Sequence, residues 1–168
     1  MEQLEIHQLI RHAFTEDLSE MAVLTIRADG TIKNGACVRQ SPWSQNATGS
    51  IHLLVHALDR TISHLSRGKN KDMKFVAFFG GEKDSGVIGH FHALLQFPSN
   101  VDKVAFIEKF KYLWSIKVSD ALKTTLKTSV FAEPIKSQEA YSAYCSRYEG
   151  ATFGGGSEKV VMSRCMKL

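Results

Sequence analysis

The stretch KFVAFFGGEKDSGVIGHFHALLQFP, Lys74–Pro98, decides how the chain is read. Two apolar runs, Phe75–Phe79 and Phe91–Phe97, flank a segment rich in glycine and charge. That pattern predicts a β-hairpin with a long loop. Side chains alternate across a strand, so His90 and His92 project from one face and Phe91 from the other. Residues two apart on a strand stand about 7 Å from each other, close enough for two imidazoles to share one metal ion. Phe91, Leu95 and Phe97 are expected to close the core side. Glu82 and Asp84 lie just past the first run, and a hairpin returns them toward the histidine pair. Glu82 is the preferred third ligand. Two histidines and one carboxylate leave coordination positions open for water or a phosphate oxygen, as a catalytic metal needs. The bland alternative is a paired strand whose histidines are merely polar residues on a solvated face.

The 168 residues suit one domain with a real core. The net charge of +4 leans toward an anionic partner. No apolar run approaches membrane-spanning length, and the start of the chain lacks a signal-peptide pattern. Cys37, Cys145 and Cys165 are odd in number and form no CxxC pair. A reduced, cytoplasmic setting is the expectation.

Three segments are assigned: an N-terminal helix over residues 1–20, a catalytic-type domain over 21–150, and a tail over 151–168. Leu4, Ile6, Leu9, Ile10 and Phe14 recur at helical spacing within residues 2–18. Met21–Ala28 predicts a strand, with Thr25 positioned to share the histidine surface. Residues 29–49 read as a long loop carrying Lys33, Arg39 and Trp43. Basic side chains beside an exposed aromatic suit single-stranded nucleic acid, where bases stack and phosphates pair with cations. The alternative is a surface loop with Trp43 tucked into the core.

Ser50–Arg67 predicts a helix with a stripe of Ile51, Leu54, Val55, Leu58, Ile62 and Leu65. His52 and His56 are spaced i, i+4, but no HExxH glutamate accompanies them, so they are read as surface residues. Lys69 and Lys71 form a basic turn suited to a phosphate backbone. A second helix is expected over Val101–Ile116, with Val104, Ile107, Phe110, Leu113 and Trp114 inward. A strand follows over Thr124–Glu133, then a helix over Ser137–Tyr148 with Tyr141, Tyr144 and Arg147. Residues Glu158–Ser163 complete the chain as an edge strand. The order predicts an α+β fold: a ferredoxin/RRM-like βαββαβ antiparallel sheet with helices on one face and an extra N-terminal helix. The other face, bearing the histidines, is expected to be left for chemistry.

At this point the chain resembles the HUH endonuclease superfamily, in particular single-tyrosine rolling-circle replication initiators of plasmids and phages. His90-Phe91-His92 matches the His-hydrophobic-His strand. Glu82 stands where the acidic ligand of small viral initiators stands. Tyr144-Cys145-Ser146-Arg147 is similar to the YxxK motif, and Val23-Leu24-Thr25 to the strand ending in Leu-Thr. Two departures stand out. Arg147 replaces the lysine and cannot exchange a proton near neutral pH. Tyr141 lies one helical turn before Tyr144, so either hydroxyl is a candidate nucleophile; Tyr144 is preferred for its basic residue at +3.

The resemblance implies a divalent metal, Mn²⁺ or Mg²⁺, held by Glu82, His90 and His92, with imidazole ligands favouring Mn²⁺. It implies nicking of single-stranded DNA at an origin or hairpin through a 5′-phosphotyrosine, with the freed 3′-hydroxyl priming a host polymerase. The sequence shows no helicase or Walker segment; if these residues are the full protein, strand separation falls to a host helicase or to negative supercoiling, and an excised nuclease domain is the alternative. Rival readings are a transposase or relaxase of the same superfamily, and a non-catalytic RRM-like nucleic-acid-binding domain. A small metalloenzyme acting on another substrate is the third.

Overall fold

The computed structural model describes residues 6–14, 17–29, 47–80, 90–123, 127–141 and 160–166. Its elements are α1 (Ile6–Ala13), β1 (Met21–Asp29), α2 (Ala47–Leu65), β2 (Lys74–Gly80), β3 (His90–Gln96), α3 (Lys103–Leu122), β4 (Lys127–Pro134) and β5 (Val160–Met162). A helical turn also begins at residues 138–141. The strands form one open antiparallel sheet in the order β4-β1-β3-β2-β5. The class is α+β, as expected.

The first face of the sheet is covered by α2 and α3. Phe91, Ala93 and Leu95 of β3 point into this core beside Leu24 and Ile26 of β1 and Phe75 and Ala77 of β2. From α2 come Leu54, Leu58, Ile62 and Leu65, the stripe that the 3.6-residue period predicts. From α3 come Phe106, Phe110, Leu113, Trp114 and Val118. Trp114 meets Phe91 edge-on at 6.2 Å and donates its indole N–H to the Arg27 carbonyl at 3.1 Å. A large aromatic is thus buried without stranding its polar atom.

The α3 stripe departs from expectation at both ends. Val104 is 75% exposed, and Phe106 takes the inward place instead. Counting back by four from Phe110 reaches Phe106, whereas Val104 falls on the outer side of the turn. The helix also continues past Ile116 to Leu122, because Val118 extends the apolar stripe and nothing in KVSDAL breaks it. Asp102 caps the start by accepting from the Ala105 amide at 3.0 Å, and Lys123 closes the end in the left-handed region.

The second face corrects the sequence reading more deeply. It is not open along its whole length. Ile10 of α1 and Phe14 just past its end, with Ile135 and Met166, pack on Val76, Phe78 and Leu94 in a second core. The physical reason lies in β2, which is apolar without alternation from Phe75 to Phe79. A strand that reads this way is buried on both faces. Among the described residues, this face is exposed toward the β4 margin, at Arg27, Ser129 and Phe131.

Candidate metal centre and nucleic-acid interface

Strand alternation and register build the site. His90 and His92 share the second face of β3 with Leu94, and Arg27 and Thr25 lie directly opposite them on β1. Both histidines are buried, with 9% and 7% of their surface exposed. Their rings stand edge to face, centroids 4.5 Å apart, and the two Nε2 atoms are 2.8 Å from each other. A hydrogen bond at that distance needs one ring to donate and the other to accept, so the acceptor ring is neutral. Burial first, then the positive field of His90, then that of Arg27, hold the His92 pKa down at about 4. His92 is therefore neutral at ordinary pH, the state in which an imidazole nitrogen ligates a metal.

This pair fits a metal. Two imidazole nitrogens bound to one ion at typical lengths lie about 3.0–3.4 Å apart, and 2.8 Å is a small side-chain adjustment away. Among the described residues no third His, Cys, Asp or Glu joins them. Glu82, expected as the third ligand, and Asp84 lie outside the described residues. The two residues flanking that segment, Gly80 and His90, are register partners.

Tyr141 reaches the same neighbourhood from the C-terminal part of the chain. Its hydroxyl donates to the Ala93 carbonyl at 2.7 Å, one residue along from His92. Its ring packs against the second core. Ser137 starts this turn: its hydroxyl accepts from the Ala140 amide at 3.2 Å and its carbonyl from the Tyr141 amide at 3.1 Å. A tyrosine-bearing turn and the histidine pair thus meet on one face. Tyr144 and Arg147 lie outside the described residues, as do Lys33, Arg39 and Trp43.

Of the nucleic-acid residues expected from sequence, Thr25 stands beside His92. Lys69 and Lys71 are exposed, but they precede Lys74, whereas His90 faces Gly80 at the other end of β2. That strand length separates them from the histidines by roughly 20 Å. Two residues that sequence reading did not single out do join the site: Arg27 and, across β1, Phe131. Only long-range register reveals them. A larger groove of about 410 Å³ wraps the β4 edge toward α3, lined by Phe97, Val104, Ile107 and Val130 among others. No histidine or tyrosine lines it, and it shares Phe131 with the histidine-bearing face. Among the described residues, no helix is long and apolar enough to cross a membrane.

The sequence matches no protein-family model, and neither the curated proteins nor the solved structures compared with it give a match.

Proposed function

We propose that this chain is a metal-dependent single-stranded DNA nickase and strand transferase of the HUH type, acting at a replication origin to start rolling-circle synthesis. The supporting observation is the convergence of the His90 and His92 Nε2 atoms to 2.8 Å on a sheet face that a tyrosine-bearing turn also reaches. The ferredoxin-like arrangement of β1-α2-β2-β3-α3-β4 belongs to the same proposal.

In this reading Glu82, His90 and His92 hold Mn²⁺ or Mg²⁺. When bound, such an ion draws charge from a non-bridging phosphate oxygen. The Tyr144 hydroxyl gives its proton to solvent water and attacks the phosphorus in line. The Tyr–O–P bond forms as the P–O3′ bond breaks, and the departing 3′-oxygen takes up a proton. The bond energy is stored in the 5′-phosphotyrosine, so a later 3′-hydroxyl rejoins the strand without ATP. Arg147 serves as a phosphate clamp, since its guanidinium stays charged.

The test is a denaturing gel of protein incubated with diverse single-stranded oligonucleotides, hairpins included, in Mn²⁺ or EDTA. A metal-dependent upshifted band is expected, with the adduct mapping by peptide mass to residues 137–149. Tyr144→Phe should abolish it. Adducts that survive in Tyr144→Phe and vanish in Tyr141→Phe would transfer the nucleophile to Tyr141. No adduct across the whole pool would sink the proposal.

A further inference from the structure

The face that carries the histidines continues across β1 onto the edge strand. Thr25 stands between His92 and Phe131, and Arg27 between His90 and Ser129. Thr25, Arg27, Ser129 and Phe131 line a depression of about 270 Å³. Strands lie about 4.8 Å apart, so Phe131 is roughly 10 Å from His92. Its exposure is 62%, whereas Phe75, Phe78 and Phe79 of β2 and Phe91 of β3 are all at 7% or less. An exposed ring in a sheet that buries its other phenylalanines marks a surface made for contact. Arg27 is exposed too, and among the described residues no carboxylate pairs with its side chain.

An open aromatic face, an exposed guanidinium and two hydroxyls form one patch. Together they match the parts of a nucleotide: base, phosphate and sugar. We propose that Phe131 stacks a base and Arg27 holds a phosphate of single-stranded DNA, at a nucleotide flanking the linkage placed at His90 and His92. The positive side chain complements the anionic backbone, as the chain's +4 charge does more broadly. Every base has a π-face, so Phe131 positions the strand without reading its sequence. Duplex DNA keeps its bases stacked on each other and leaves Phe131 nothing to stack. The patch therefore selects for an unpaired strand. This inference rests on the nickase reading for the identity of the neighbouring centre, and on the patch itself for DNA binding.

The experiment is fluorescence anisotropy in EDTA with a labelled oligothymidine of about 15 nucleotides, beside a duplex of equal length. Phe131→Leu should weaken single-strand binding about tenfold and leave duplex binding unchanged, while Phe131→Tyr retains it. Arg27→Gln should weaken binding and lower the slope of log affinity against log salt by about one. Melting curves verify that each variant is folded. Wild-type single-strand affinity in Phe131→Leu would overturn the inference. So would a wild-type dimer that Phe131→Leu converts to monomer in sedimentation velocity, because a second copy would then own the patch. Wild-type adducts in Mn²⁺ with unchanged Phe131→Leu binding leave the nickase standing and remove this inference. Phe131-dependent binding with no adduct does the reverse. Neither adduct nor binding removes both.

Discussion

The two faces of β3 differ in one respect that organises the molecule. On one face, Phe91, Ala93 and Leu95 meet α2 and α3 in an unbroken apolar core. On the other, the strand changes character along its length. Leu94 lies under α1 with Val76 and Phe78, while His90 and His92 occupy the part that runs toward Thr25, Arg27 and the β4 edge. The first face holds the fold together, and its Trp114 indole N–H is satisfied by the Arg27 carbonyl. The second combines a small core with a polar field, and two imidazoles satisfy each other at its border. Stability and chemistry are thus divided between faces, and on the second face between its two halves.

That division is open to attack from its strongest side first. Phe91→Ala removes a fully buried ring that packs on Phe79 and Trp114. Denaturant melts should show a loss of about 3–5 kcal/mol, a large share of a small domain's total. Replacing His90 and His92 together by Ala should leave most of the stability in place yet reduce metal-dependent adduct formation by more than about a hundredfold. A double variant that still nicks would end the metal-site reading, and one that unfolds would show the two faces to be less separate than described.

Acid should reach the second face through His92. Its folded pKa, about 4, lies below the ordinary 6.5. Below pH 6.5 the unfolded chain binds a proton that the folded chain refuses. Stability contributed by the neutral ring is therefore present at pH 7 and falls as pH drops from about 6.5 toward 4, by at most about 1.4 kcal/mol per pH unit. Urea midpoints for wild type and His92→Asn across that range check this: the variant should show the shallower slope. The smallest expected effect is that of Tyr141→Phe. Loss of the bond to the Ala93 carbonyl should lower stability by about 0.5–1.5 kcal/mol and leave the covalent adduct intact. A vanished adduct would instead make Tyr141 the attacking group.

The sequence states some of this plainly and conceals the rest for physical reasons. His90-Phe91-His92 is legible because a strand's period of two sorts neighbours onto opposite faces. The α2 stripe is legible because its apolar spacing is regular. The choice of Phe106 over Val104 is not legible because α3 offers apolar residues on more than one side, and only packing chooses between them. The second core was announced by the unbroken run Phe75–Phe79, yet α1, which covers it, lies some sixty residues earlier, where local pattern gives no link. Arg27 and Phe131 belong to the site through pairing across β1. Register of that kind depends on segments a hundred residues apart, which no local window contains.

The β5 strand has a consequence for synthesis. It pairs with β2 through Val76↔Met162, and the Ser163 amide and hydroxyl grip the Phe75 carbonyl and amide. That partner arrives about 85 residues after β2 has been made. At ribosomal speeds the interval is roughly 4 to 17 seconds. During it β2 presents an unpaired, apolar margin with Val76 and Phe78 beside it, the kind of edge that recruits a wrong neighbour. A nascent chain of this protein is therefore expected to lean on chaperones most between the emergence of β2 and that of Met162.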